Sequence, residues 1–238
     1  MGSNTLTFEY RFRGVAPEVP EASFELVLDA KTLEQIHEQQ NGYPDWARLD
    51  CEQCEDCPLS PEQHTYCPAA LSIADLVAHF NEALSFHDVE VTVKTAERTV
   101  TGRTTIQKAL SSLVGLCMAT SGCPRLAKFR PMARFHLPLA TLDETVFRSV
   151  GAYLLAQYFL KRRGKPFDMD LEGLRDIYQP VHEVNVALAK RLRRVAVGDA
   201  NVNALIVLDL FAQQLPFSIE SNLDHIEHLF APFLDKPA

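Results

Sequence analysis

Cys51, Cys54, Cys57 and Cys67 stand in C-x2-C-x2-C-x9-C spacing within CEQCEDCPLSPEQHTYC, and thiolates so gathered do metal chemistry. Two-residue gaps let tight turns present successive sulfurs to one centre, and tetrahedral zinc takes four such ligands at about 2.3 Å. Iron–sulfur clusters use the same thiolates, and a proline after the last cysteine is also found in ferredoxin-type ligation. The spacing leaves zinc, an iron–sulfur cluster and free or disulfide-bonded thiols all open, with zinc the preferred reading. His64 could replace a cysteine but reads as an exposed loop residue. Ser60-Pro61-Glu62-Gln63 has the order of a capped helical turn. Cys67-Pro68 opens a helical pattern, which puts the Cys67 sulfur near a helix start. Four thiolates close a zinc site, and a closed site stabilises a fold without reacting.

A second constellation lies in CMATSGCPRLAKFRPMARFHLP. Cys123, between Gly122 and Pro124, is expected to begin a helical turn where the dipole and nearby arginines lower its thiol pKa. With His136 as base it would meet the minimum for a nucleophile. The same stretch offers Arg125, Arg130, Arg134 and His136 as a ligand-binding set, and structural packing is the third reading. Cys117 reads as a core residue. Arg148, His182, Glu183, Asn185, Asn203 and Asp209 interrupt apolar helix faces, and buried polar groups need partners. They could form an internal network with Arg134 and His136, which would line a pocket or fix helix register. His225 and His228 read as a solvated flank.

These groups sit in a 238-residue chain with a net charge of −8. The negative balance disfavours nucleic-acid binding, which neutralises phosphates with Lys and Arg. The charge is uneven: residues 1–60 hold twelve acids and four bases, whereas Arg98 to Leu142 holds seven bases and no acid. That stretch either makes an anion site or pairs with the acidic N-terminal part. HExxH, GxSxG, P-loop and GxGxxG motifs are missing, so the common enzyme classes have no support. Glu34 and His37 give one ExxH, where a di-iron bundle needs two. No secretory leader pattern is evident, and the apolar stretch Ala204–Ala212 falls short of a membrane span. The expected compartment is the cytoplasm, where cysteines serve as ligands or free thiols. No partner is specified; a homo-oligomer is compatible with the sequence.

The elements that must position these residues follow from periodicity. Leu6, Phe8, Tyr10 and Phe12 alternate with polar residues, as do Phe24, Leu26 and Leu28, and Val89, Val91 and Val93; each set predicts a strand. Residues 99–105 can add a fourth. Thr32 with Gln35, Thr104 with Gln107 and Thr141 with Glu144 have capping-box spacing, the first for a short helix ending near Gly42. Leu71 to Leu84 has helical spacing. Leu142, Val146, Val150 and Leu154 form one helical stripe. Leu174, Ile177, Val181, Val184, Leu188 and Leu192 form another, with Pro180 predicting a kink or break. Val202 to Phe211 is apolar nearly all round and is expected to be the central buried helix. Leu223 to Phe230 predicts a last amphipathic helix.

The phrases CEDCPL, YCPAA, TSGCP and MARFHLP resemble a bacterial family of unknown function, over roughly residues 44–215. The resemblance implies a bacterial, cytoplasmic protein and no particular activity. The expected architecture is α+β. A small N-terminal antiparallel sheet with a four-cysteine metal knuckle (1–103) precedes a mostly helical part (104–238), in one domain spanning 1–238. The expected function is metal binding, through structural zinc, with a ligand or partner surface on the helices. The alternative is an iron–sulfur or thiol-dependent redox protein or enzyme using the knuckle or Cys123.

Overall fold

A computed structural model describes residues 4–15, 19, 21–36, 42–221 and 223–234. The alternation in the N-terminal part becomes a four-stranded antiparallel sheet: β1 (Thr5–Gly14), β2 (Ala22–Asp29), β3 (Asp88–Lys94) and β4 (Thr99–Thr105), in the order β2-β1-β3-β4. Register puts Tyr10 opposite Phe24 on one side and Val93 on the other. Phe8, Tyr10, Phe12, Val89, Val91 and Val93 are thereby buried on one face, as a period of two requires when only one side of a sheet is covered.

The helices are α1 (Pro68–Leu71), α2 (Ala74–His79), α3 (Ile106–Thr120), α4 (Arg130–Arg134), α5 (Leu142–Arg162), α6 (Glu172–Arg193), α7 (Ala200–Glu220), α8 (Asp224–Glu227) and α9 (Ala231–Leu234). The central one is α3, which buries ten of its fifteen residues. This corrects the expectation placed on Val202–Phe211. Within α7, Ala204, Leu205, Ala212 and Leu215 are buried, while Ile206, Leu210 and Phe217 stand exposed. Composition alone cannot tell which apolar helix is enclosed; Gly115 helps decide it, because its missing side chain lets Leu208 of α7 close on α3. Ala200–Ile219 is long and apolar enough to cross a membrane by length and composition, a longer run than the stretch counted from sequence.

Local signals fared unevenly. The Thr141–Glu144 capping box is formed, with Glu144 N donating to Thr141 Oγ1 and Thr141 N to Glu144 Oε2. The box at Thr104 is not, since the N-cap is Thr105 and its side chain caps nothing. At Thr32 an Asx turn wins: Asp29 Oδ1 accepts from Lys31 N and Thr32 N, the competing local bond that short polar side chains offer. Residues 37–41, His37 among them, lie outside the described residues; Gly42, near which that helix is expected to end, has φ +97°. Leu71 to Leu84 divides into two short helices at Ile73. α6 runs through Pro180 without a break, and the last helix is three short turns. A single core cluster joins sheet, knuckle and helices, from Val91 through Leu49 and Cys67 to Leu113 and Leu188.

Candidate metal centre and adjoining cavity

The knuckle closes at its base like a clasp. Leu49 N donates to Thr65 O (3.0 Å) and Cys67 N to Ala47 O (2.8 Å), beside an isolated bridge between Arg48 and Tyr66. Within it Cys51 N bonds Arg48 O and Cys57 N bonds Cys54 O, both at 3.2 Å, the tight turns that two-residue spacing calls for. Residues 60–64 make the expected turn, with His64 N on Ser60 O at 2.9 Å, and His64 is exposed. One side chain anchors the clasp to α6. Arg191 is only 1% exposed, and its guanidinium donates to Trp46 O, Arg48 O and Leu49 O. A buried cation is tolerable when carbonyl oxygens surround it in this way.

Cys123 comes back to this knuckle from far along the chain. Its thiol interacts electrostatically with Cys67 and Cys54, and Cys54 in turn with Cys67 and Cys57. Cys67 and Cys123 share one design. Each is buried, precedes a proline and caps a helical turn in extended conformation, at φ −75°, ψ 118° and φ −63°, ψ 122° respectively. Burial pushes the Cys123 thiol up to about 11. The expected lowering does not occur, because desolvation outweighs the short 3-10 turn Pro124–Phe129 and Arg125 is engaged with Glu183. Burial, then the neighbouring Cys67 and Cys57, raises Cys54. Cys117 lies inside α3, pushed up to about 12 by burial.

Among the described residues no three Cys, His, Asp or Glu side chains are drawn together as a metal-ligand set. Two buried donors point to an anionic centre here. Arg125 Nη1 and Arg191 Nε have no hydrogen-bond partner, and both guanidinium groups act on Cys54. Orphaned buried N–H groups are rare and call for an explanation.

The proposed arginine set is not brought together. Arg125 pairs with Glu183, Arg130 with Glu34, and Arg134 lies 5.4 Å from the Phe135 ring. Arg130 alone of these pairs with the acidic N-terminal part. His136 does not serve Cys123: its Nε2 is hydrogen-bonded to Tyr10 in the sheet, and its ring meets Phe8 edge-on. Burial, and then the Arg148 charge, pushes its pKa down to about 3. The single polar network anticipated on the helices is instead several small ones. His182, Asn185 and Gln213 converge on Asp209, whereas Arg148 Nη2 donates to Met132 O (2.6 Å) and Phe135 O (3.0 Å). His136 and Arg148 both line a cavity of about 470 Å³ among α3, α4, α5, α6 and α7. Arg148 stood out in the sequence as polar on an apolar face, with lining a pocket one of the two roles open to it.

A match to one protein family runs over residues 6–231. The chain belongs to DUF6901, a domain of unknown function. The family's span takes in the sheet but for Thr5, all six cysteines and every residue lining the cavity, so both features lie within its boundaries. Comparison with curated proteins and with solved structures gives no match.

Proposed function

We propose that this protein binds a metal ion through its cysteine knuckle, as structural zinc held by Cys54, Cys57, Cys67 and Cys123, with Cys51 outside the completed set. The carrying observation is that Cys67 and Cys123, far apart in the chain, are buried in one core cluster with Cys54 and Cys57 packed against it, and that two nearby buried guanidinium groups keep unmatched N–H donors. Four thiolates on Zn²⁺ leave two net negative charges, and Arg125 and Arg191 offset them. Hydrogen bonds to the ligand sulfurs, the usual outer shell of such sites, would give these donors partners. A four-thiolate ion has no open position, so its role is to hold the knuckle, the end of α3 and α6 together rather than to react.

Elemental analysis and an absorbance spectrum on protein purified without oxygen test this reading. About one zinc per chain in a colourless solution, lost in Cys54→Ser, is the expected result. Iron with sulfide and a band near ~400 nm would replace zinc by a cluster on the same thiolates. Metal-free protein with all six thiols titrating freely would overturn metal binding.

A further inference from the structure

The stretch from Arg98 to Leu142, basic and free of acids, supplies most of the cavity wall. Arg103, paired with Glu90, and Lys108 come from it, Arg148 from α5, and among the described residues no Asp or Glu lines the cavity, although the chain carries a net charge of −8. The remaining wall is mainly apolar, with Leu116, Phe129, Met132, Leu137, Leu208 and Phe211. At about 470 Å³ the space falls in the range of small-molecule sites, roughly 300–1,000 Å³. Arg148 is the decisive residue. It is half-buried, and its hydrogen bonds go to two backbone carbonyls, which leave its charge in place. His136, neutral because of its enclosure, adds no charge at neutral pH.

We infer that this cavity binds an amphipathic carboxylate, its apolar chain against the α3, α4 and α7 walls and its carboxylate against Arg148. A guanidinium already fixed by two carbonyls loses little freedom on meeting a carboxylate, and the low-polarity surroundings strengthen the pair. A cationic or strongly hydrated ligand meets the opposite conditions: like charges without acids, and walls that cannot solvate it. The inference rests on the cavity alone and stands whether or not the cysteines bind metal.

Isothermal titration of the full chain, stripped of bound lipid, with decanoate, decanol and inorganic phosphate tests it. Saturable one-to-one binding of decanoate is expected. Decanol should bind at least about tenfold more weakly, as loss of a charge-assisted hydrogen bond implies, and phosphate should give no saturation. Arg148→Met should weaken decanoate by a similar factor, and Lys108→Gln, at an exposed wall position, by less. Should Arg148→Met not fold, the comparison of the three ligands on the unaltered protein decides. Equal binding of decanoate and decanol, saturable phosphate binding at the same site, or no binding of decanoate would each overturn the inference.

Discussion

Arg191 shows how much one side chain can hold. It satisfies three backbone carbonyls of the knuckle base from a position 1% exposed to solvent. Arg191→Ala strands those carbonyls, and at about 1–3 kcal/mol for each unsatisfied buried group the expected loss is about 3–5 kcal/mol in urea unfolding. Lys should restore only part, since a point ammonium cannot span the three acceptors as the planar fork does. His136 carries a pH signature. Its folded pKa is pushed down to about 3, below the unfolded value near ~6.5. The unfolded state therefore binds the extra proton first as pH falls. The contribution is complete above pH ~6.5 and is lost downward toward 3, by up to about 1.4 kcal/mol per pH unit. Stability against pH for the natural chain and for His136→Phe should diverge in slope only in that window; parallel curves would show that the imidazole is not held neutral.

At the scale of elements, the strands were legible because one covered face forces strict alternation, and Phe8, Tyr10 and Phe12 are buried as their spacing implied. The Thr141 box was legible for a similarly local reason, and Thr141→Ala should cost about 1 kcal/mol in thermal or denaturant unfolding. The rank of the helices was not legible: α3 and α7 are both apolar, and which is enclosed depends on Gly115 and on what crosses it. Gly198 illustrates the same limit. Nothing in the sequence around it predicts contact, yet an added Cβ would lie 2.3 Å from Ala83 O, where Gly198 N also bonds Asn81 O at 2.7 Å. Gly198→Ala should therefore push the turn before α7 off the segment that follows α2, at about 1–3 kcal/mol as other overpacked sites lose.

Across the whole molecule, one short segment links the proposed metal site to the cavity. Cys123 is one of the proposed ligands, and Leu126 and Phe129, just beyond it, line the cavity. Chelation should thus both lower the melting temperature and weaken decanoate binding by severalfold, whereas decanoate should stabilise the metal-loaded chain by mass action. The candidate site was half legible in sequence. The C-x2-C-x2-C-x9-C spacing pointed to the knuckle, but the approach of Cys123 depends on how α3 returns to it, which no local spacing encodes. Arg125, Arg130 and Arg134 looked like a set only because they are near in sequence; a 3-10 turn and a short helix aim them at Glu183, Glu34 and Phe135.

X-ray absorption at the metal edge, on the natural chain and on Cys51→Ser and Cys123→Ser, tests the metal site most directly. Four sulfur scatterers at about 2.3 Å, as tetrahedral zinc thiolate requires, should surround zinc in the natural chain and in Cys51→Ser. Cys123→Ser should show one sulfur fewer or no bound zinc. A shell of nitrogen and oxygen, or a sulfur lost with Cys51 and kept without Cys123, would contradict the proposed ligand set.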